Sequence, residues 1–192
     1  MERDRLAAFS DGVIAIIITI MVLELKVPHG SDFAALSELW PVFLSYVLSF
    51  IYVAIYWNNH HHMLHTATHV TGPILWANTH LLFWLSLIPF ATAWTGENNF
   101  ATLPTAVYGV MLLCAAIAYF ILQATIIHSQ GTHSILAKAI GRDVKGKMSP
   151  VLYCLGIGAA FINPGIAIAI YALVALIWLI PDRRIERVLK ND

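Results

Sequence analysis

RLAAFSDGVIAIIITIMVLEL, residues 5–25, sets the problem. Its apolar run suits a helix in lipid, yet Arg5 and Asp11 stand at one end and Glu24 near the other. The uncharged core, residues 12–23, is only 12 residues long, and a helix that crosses a bilayer needs about 20 mostly apolar residues. Asp11 and Glu24 must then lie at or just inside the two boundaries. An ionisable group at that depth is expensive, and it usually faces the bundle interior or water. Asp11, with Arg5 in the preceding turns, points to a buried pair or network. Glu24, beside Lys26, reads equally well as a side chain that reaches the headgroups.

The rest of the chain agrees with a membrane setting. Of 192 residues, 59% are hydrophobic and 11% charged, against about a quarter charged in soluble domains. Eleven basic residues balance eleven acidic ones, and no basic run or zinc-finger spacing points to nucleic acid. The N-terminal segment carries Glu2, Asp4 and Asp11, and KVPHGSD follows it in place of a small-residue cleavage site. It reads as a retained helix, not a signal peptide. Cys114 and Cys154 sit in apolar runs and read as small core residues.

The uninterrupted apolar stretches are residues 12–23, 41–57, 70–96, 98–127 and 148–181. As one helix the last would run about 51 Å, at 1.5 Å per residue, through a hydrocarbon core of about 30 Å. FINPG, residues 161–165, supplies a turn within it. The expected architecture is an all-α integral membrane protein. It is a single six-helix domain over 1–192, with helices about 5–26, 38–60, 70–95, 100–128, 148–162 and 164–181. With six crossings, the N-terminus, the 128–147 loop and the C-terminal tail share one side. All eleven Lys and Arg except Lys26 then lie on that side, so both termini are expected in the cytoplasm. Trp40, Trp57, Trp94 and Trp178 near helix ends fit interfacial belts.

On a helical wheel Ile16, Thr19, Ile20, Leu23 and Val27 share one stripe of the first helix. Such a stripe serves plain packing as readily as a pore wall. As a pore wall, a ring of Ile or Leu from several subunits would empty of water and block ions. A ring of Thr hydroxyls could replace some of an ion's hydration oxygens.

R-x-x-x-F-S-D, here Arg5, Phe9, Ser10 and Asp11, resembles the signature of the transmembrane protein 175 family, the lysosomal potassium channel and its bacterial relatives. GVIAIIITIMVLEL continues the same helix. YWNNHH and NTHLLFWLSLIPFATAW resemble the family's second and third helices. The resemblance implies a homotetrameric, potassium-permeable cation channel of a bacterial inner membrane, passing potassium and other monovalent cations, with no cofactor. No transmembrane stretch carries an arginine ladder that could sense voltage, so the expected channel is of leak type. It also implies a pore lined by the first helices, with Ile16, Thr19 and Leu23 at the pore positions. TVGYG does not occur in the sequence. The family's cluster around the start of the pore helix would here join Arg5, Phe9, Ser10 and Asp11 to Trp57, His60 or His61, Asn78 and His80. Histidines in such a cluster would make gating sensitive to pH near neutrality.

NNHHHMLHTATH, residues 58–69, offers a rival reading. His61 and His65, and His65 and His69, are spaced i, i+4, which can hold a metal on one helical face. A histidine-dependent metal or haem protein is therefore one alternative, and a small secondary transporter is another. Neither Asp, Glu nor Cys lies within the segment to complete a metal site, and the histidines fall at a boundary where solvation is cheap. An enzyme is not expected, because Ser10 has no nucleophile elbow around it.

Overall fold

The computed structural model describes residues 3–131, 134–140 and 143–179. Among these residues the chain is all helical. Helix α1 (Arg3–Leu23) buries Leu6, Ser10, Ile14, Ile17 and Met21, a stripe with steps of three and four residues. A short helix α2 (Phe33–Ser37) follows, its N-terminus capped by the Asp32 carboxylate, which accepts from the Ala35 N–H at 3.0 Å. Helix α3 (Trp40–His65) carries Pro41 in its first turn, where a missing N–H costs nothing.

The stretch expected as one helix over 70–95 is divided into α4 (Gly72–Ser86) and α5 (Ile88–Glu97). Pro89 is the cause. It has no N–H to offer the Leu85 carbonyl, and its ring crowds the preceding turn. The chain tightens there, with the Leu87 N–H reaching the Trp84 carbonyl at 3.3 Å. Helix α6 (Thr102–Gln130) ends at Gly131, whose φ of 89° suits a residue without a side chain. A short α7 (Ile135–Ile140) leads to α8 (Val144–Ala160) and α9 (Pro164–Leu179). The turn between the last two is FINPG, where the Asn163 side chain accepts from the Gly165 N–H at 2.8 Å.

By length and apolar composition, four stretches can cross a membrane: Arg3–Leu23, Trp40–His65, Gly72–Glu97 and Thr102–Gln130. Pro164–Leu179 is a shorter apolar helix. Helix α6 packs against α4, α5, α8 and α9, while α1 leans on α3, α4 and α5. Of the basic residues, Arg142, Arg183, Arg184, Arg187 and Lys190 lie outside the described residues, as do positions 180 and 181 of the last expected helix. One sequence expectation is corrected: Cys154 is exposed on α8 and Cys114 only half-buried. An apolar segment of a membrane bundle has an outer face as apolar as its core, so composition does not separate the two.

The centre of the bundle is held by hydroxyls as well as hydrocarbon. Tyr52, Tyr108 and Tyr171 are fully buried. Tyr52 donates to the Tyr171 carbonyl at 2.6 Å, and Thr92 donates to Ser49, which bonds Tyr108 at 3.0 Å. The Tyr171 ring fills the space above Gly109 of α6 and Gly156 of α8, where any Cβ would collide with it. Overpacking of a tight core costs about 1–3 kcal/mol. Gly156→Ala is expected to lose about that much stability in thermal unfolding, whereas Gly158→Ala, whose Cβ would meet open space, should be close to neutral.

Candidate functional site

Helix α1 has two distinct faces. Its inner stripe is buried against α3, α4 and α5. Its outer stripe is uncovered: Phe9 is 58% exposed, Ile16 60% and Leu23 75%. Gly12 and Thr19 are exposed between them, and a Cβ on Gly12 would touch nothing. Phe9, Gly12, Ile16, Thr19 and Leu23 thus follow one another at steps of three, four, three and four. Ala8, Ala15, Ile20 and Val22 are exposed beside them, so the bare face is broad, and within it these steps have the spacing of a helix–helix seam. The Thr19 hydroxyl donates to the Ala15 carbonyl of its own helix at 2.9 Å.

The inner face is pinned near its N-terminal end by two sets of polar contacts. The Trp57 indole N–H donates to the Asp11 carboxylate at 3.0 Å. Beside it, the fully buried Asn78 amide donates to the Ser10 hydroxyl at 3.0 Å and meets His60 Nε2 through its oxygen at 2.7 Å. Ser10 in turn donates to the Leu6 carbonyl at 2.9 Å. Three helices, α1, α3 and α4, meet at these five side chains. The pairing works because each buried polar atom has a partner, which removes most of the cost of burying it.

The other expected members of this cluster lie apart from it. Arg5 is exposed and, among the described residues, makes no ion pair with Asp11. Arg3 is the residue that forms an ion pair in this turn, with Asp4 at 3.2 Å, and its guanidinium also reaches the His65 carbonyl at 3.3 Å. Phe9 points outward. His80 accepts from the Trp84 indole one turn along α4, at 2.9 Å. His61 lies over Trp57, ring centres 6.0 Å apart. Helix α3 ends at His65, so His69 is off the helix and bonds Thr68. Among the described residues no group of three or more His, Cys, Asp or Glu is placed to hold a metal.

The far end of α1 is tied differently. Past its last turn, Lys26 meets Glu97 at the end of α5 at 2.6 Å, while Glu24 is exposed. The hydrogen bond, and then the charge, of Glu97 hold the Lys26 ammonium above its usual value of 10.5. A raised folded value stabilises the fold below the unfolded value and is lost as pH rises through the folded one. Melting temperatures of wild type and Lys26→Met should therefore run parallel well below pH 10.5 and converge only above it. Both partners are exposed, so the offset is small.

Sequence reasoning did not find the buried hydroxyl contacts among Ser49, Tyr52, Thr92, Tyr108 and Tyr171. The available signal was the recurrence of Tyr, Ser and Thr inside otherwise apolar runs.

Long apolar helices pinned to one another by a few buried polar bonds define a helical membrane protein. Residues 5–89 match the family described as the endosomal/lysosomal potassium channel TMEM175. The chain is 58% identical, over the full length of both, to a potassium channel of Chryseobacterium sp. (strain P1-3). The crystal structure of a lysosomal potassium-selective channel TMEM175 homologue from Chamaesiphon minutus superposes with a TM-score of 0.84 at 27% identity, covering 94% of this chain and 98% of that one. The endosomal/lysosomal proton channel TMEM175 of Gallus gallus is 28% identical over 184 residues, 85% of this chain but 36% of that protein. The chain belongs to the TMEM175 family, which is a family of ion channels and not of enzymes, and which works without a cofactor.

Proposed function

We propose that this protein is a leak-type, potassium-permeable cation channel of a bacterial inner membrane, with four copies placing the outer stripes of their α1 helices around a shared pore. The observation that carries the reading is the uncovered seam Phe9, Gly12, Ile16, Thr19 and Leu23 on a helix whose opposite face is firmly docked. In this reading Ile16 and Leu23 form apolar constrictions that dewet when closed, and Thr19 places a ring of oxygens between them. Asp11 with Trp57, and Ser10 with Asn78 and His60, act as struts that fix the N-terminal half of the pore helix. Helices α8 and α9 complete six crossings, and the basic residues at the termini and in the 128–147 loop favour the cytoplasm. The names of the relatives at 58% identity and in the superposed structure support potassium as the permeant ion.

The test is recording in planar bilayers with potassium on one side and sodium on the other, alongside native mass spectrometry of the detergent complex. Discrete currents that reverse toward the potassium equilibrium potential, from a four-copy complex, are the expected result. Saturable flux without unitary currents would replace the channel with a transporter.

A further inference from the structure

We propose that His61 and His65, at the C-terminal end of α3, form a two-imidazole site for a divalent transition-metal ion. The two rings stand one helical turn apart, with centres 4.5 Å from each other and planes inclined at 64°. Histidines at i, i+4 on one helix face are a recurrent way to grip zinc. Zinc–nitrogen bonds are about 2.0–2.1 Å long, so two rings at a tetrahedral angle around one ion have centres about 5 Å apart. The observed spacing is within about half an ångström of that, a change that small rotations of the imidazoles supply. His65 is exposed and His61 half-buried, so an ion can reach the pair and keep water in its remaining positions.

The surroundings suit a soft dication better than the potassium of the pore. Imidazole favours zinc, copper and nickel, and offers little to hard cations, which seek oxygen. His62 stands 5.8 Å from His61, ring centre to ring centre. Asp4 and Arg3 both act on His65 electrostatically. The Arg3 charge opposes a dication, and its ion pair with Asp4 offsets that opposition. Trp57, one turn before His61 on α3 and with its ring centre 6.0 Å from that of His61, donates to Asp11 of α1. An ion on this pair would brace the last turn of α3, to which the first turn of α1 is already tied through Arg3 and the His65 carbonyl.

Binding is read by calorimetry, which does not depend on conduction, so its outcome stands apart from that of the bilayer recordings. Zinc chloride is titrated into the tag-free full chain in detergent, with magnesium chloride as the negative probe. One saturable zinc site per chain is expected, with no heat from magnesium. The site should disappear in His61→Gln and in His65→Gln and persist in His69→Gln. His65 is exposed, so His65→Gln keeps the fold, as circular dichroism would verify. Absence of saturable zinc uptake by wild type, or uptake unchanged when His61 and His65 are both replaced, overturns the proposal.

Discussion

Leu23→Ala and Ile16→Ala are each expected to raise unitary current or open probability severalfold in planar bilayers. Both side chains project from the face of α1 that its own chain leaves bare. Around a shared axis they would set the narrowest apolar width, and water enters an apolar constriction more readily as its side chains shorten. Inward-facing residues of the same helix give the contrast. Ile17 and Met21 are buried, at 3% and 1% exposure, so truncating either to alanine should cost about 2–5 kcal/mol of stability without widening anything. A current that rises on the outer stripe and not on the inner one assigns the pore to that seam. Equal silence from both pairs would place the outer stripe against lipid.

Asn78→Leu is the second large effect. The side chain is completely buried and serves two partners on two other helices. Its loss leaves a ring nitrogen of His60 with no acceptor or donor opposite it and deprives the Ser10 oxygen of a donor. Single interhelical hydrogen bonds in membrane bundles average about 0.6 kcal/mol and reach about 1.7. A buried polar atom left unpaired costs about 1–3 kcal/mol. The second figure governs here, because the Asn78 side chain is completely buried. Unfolding of Asn78→Leu in detergent should therefore show a loss of about 1–3 kcal/mol. Replacing His60 by leucine in the same chain should restore part of it, since removing both partners of a buried bond is cheaper than removing one. A double variant as unstable as the sum of the singles would mean that the two side chains act independently.

Much of this fold could be read from the chain, for identifiable reasons. Residues 5–25 announce a membrane helix through their apolar run, and FINPG announces the turn between α8 and α9 through the fixed geometry of proline. Trp57, His60 and Asn78 were within reach through the family likeness, because polar groups in apolar helices must find one another. The missed features have physical causes as well. Arg5 and Asp11 share a charge complementarity that suggested an ion pair, but at a helix end arginine can remain exposed, and the indole of Trp57 meets the carboxylate instead. The division of α4 from α5 was written in Pro89, yet an apolar run around a proline does not say whether the helix bends or breaks. Cys154 looked like a core residue because lipid-facing and core-facing positions draw on the same alphabet. The buried tyrosine contacts join residues as far apart in sequence as Tyr52 and Tyr171, a separation that no local pattern spans.

One bond on α1 has a consequence for chemical sign. The Thr19 proton is already committed to the carbonyl of Ala15, so the hydroxyl turns outward only its lone-pair density. Whatever approaches that position from outside the helix meets an electron donor. Were this position to face the proposed pore, it would favour a positively charged species over a halide before any charged side chain takes part.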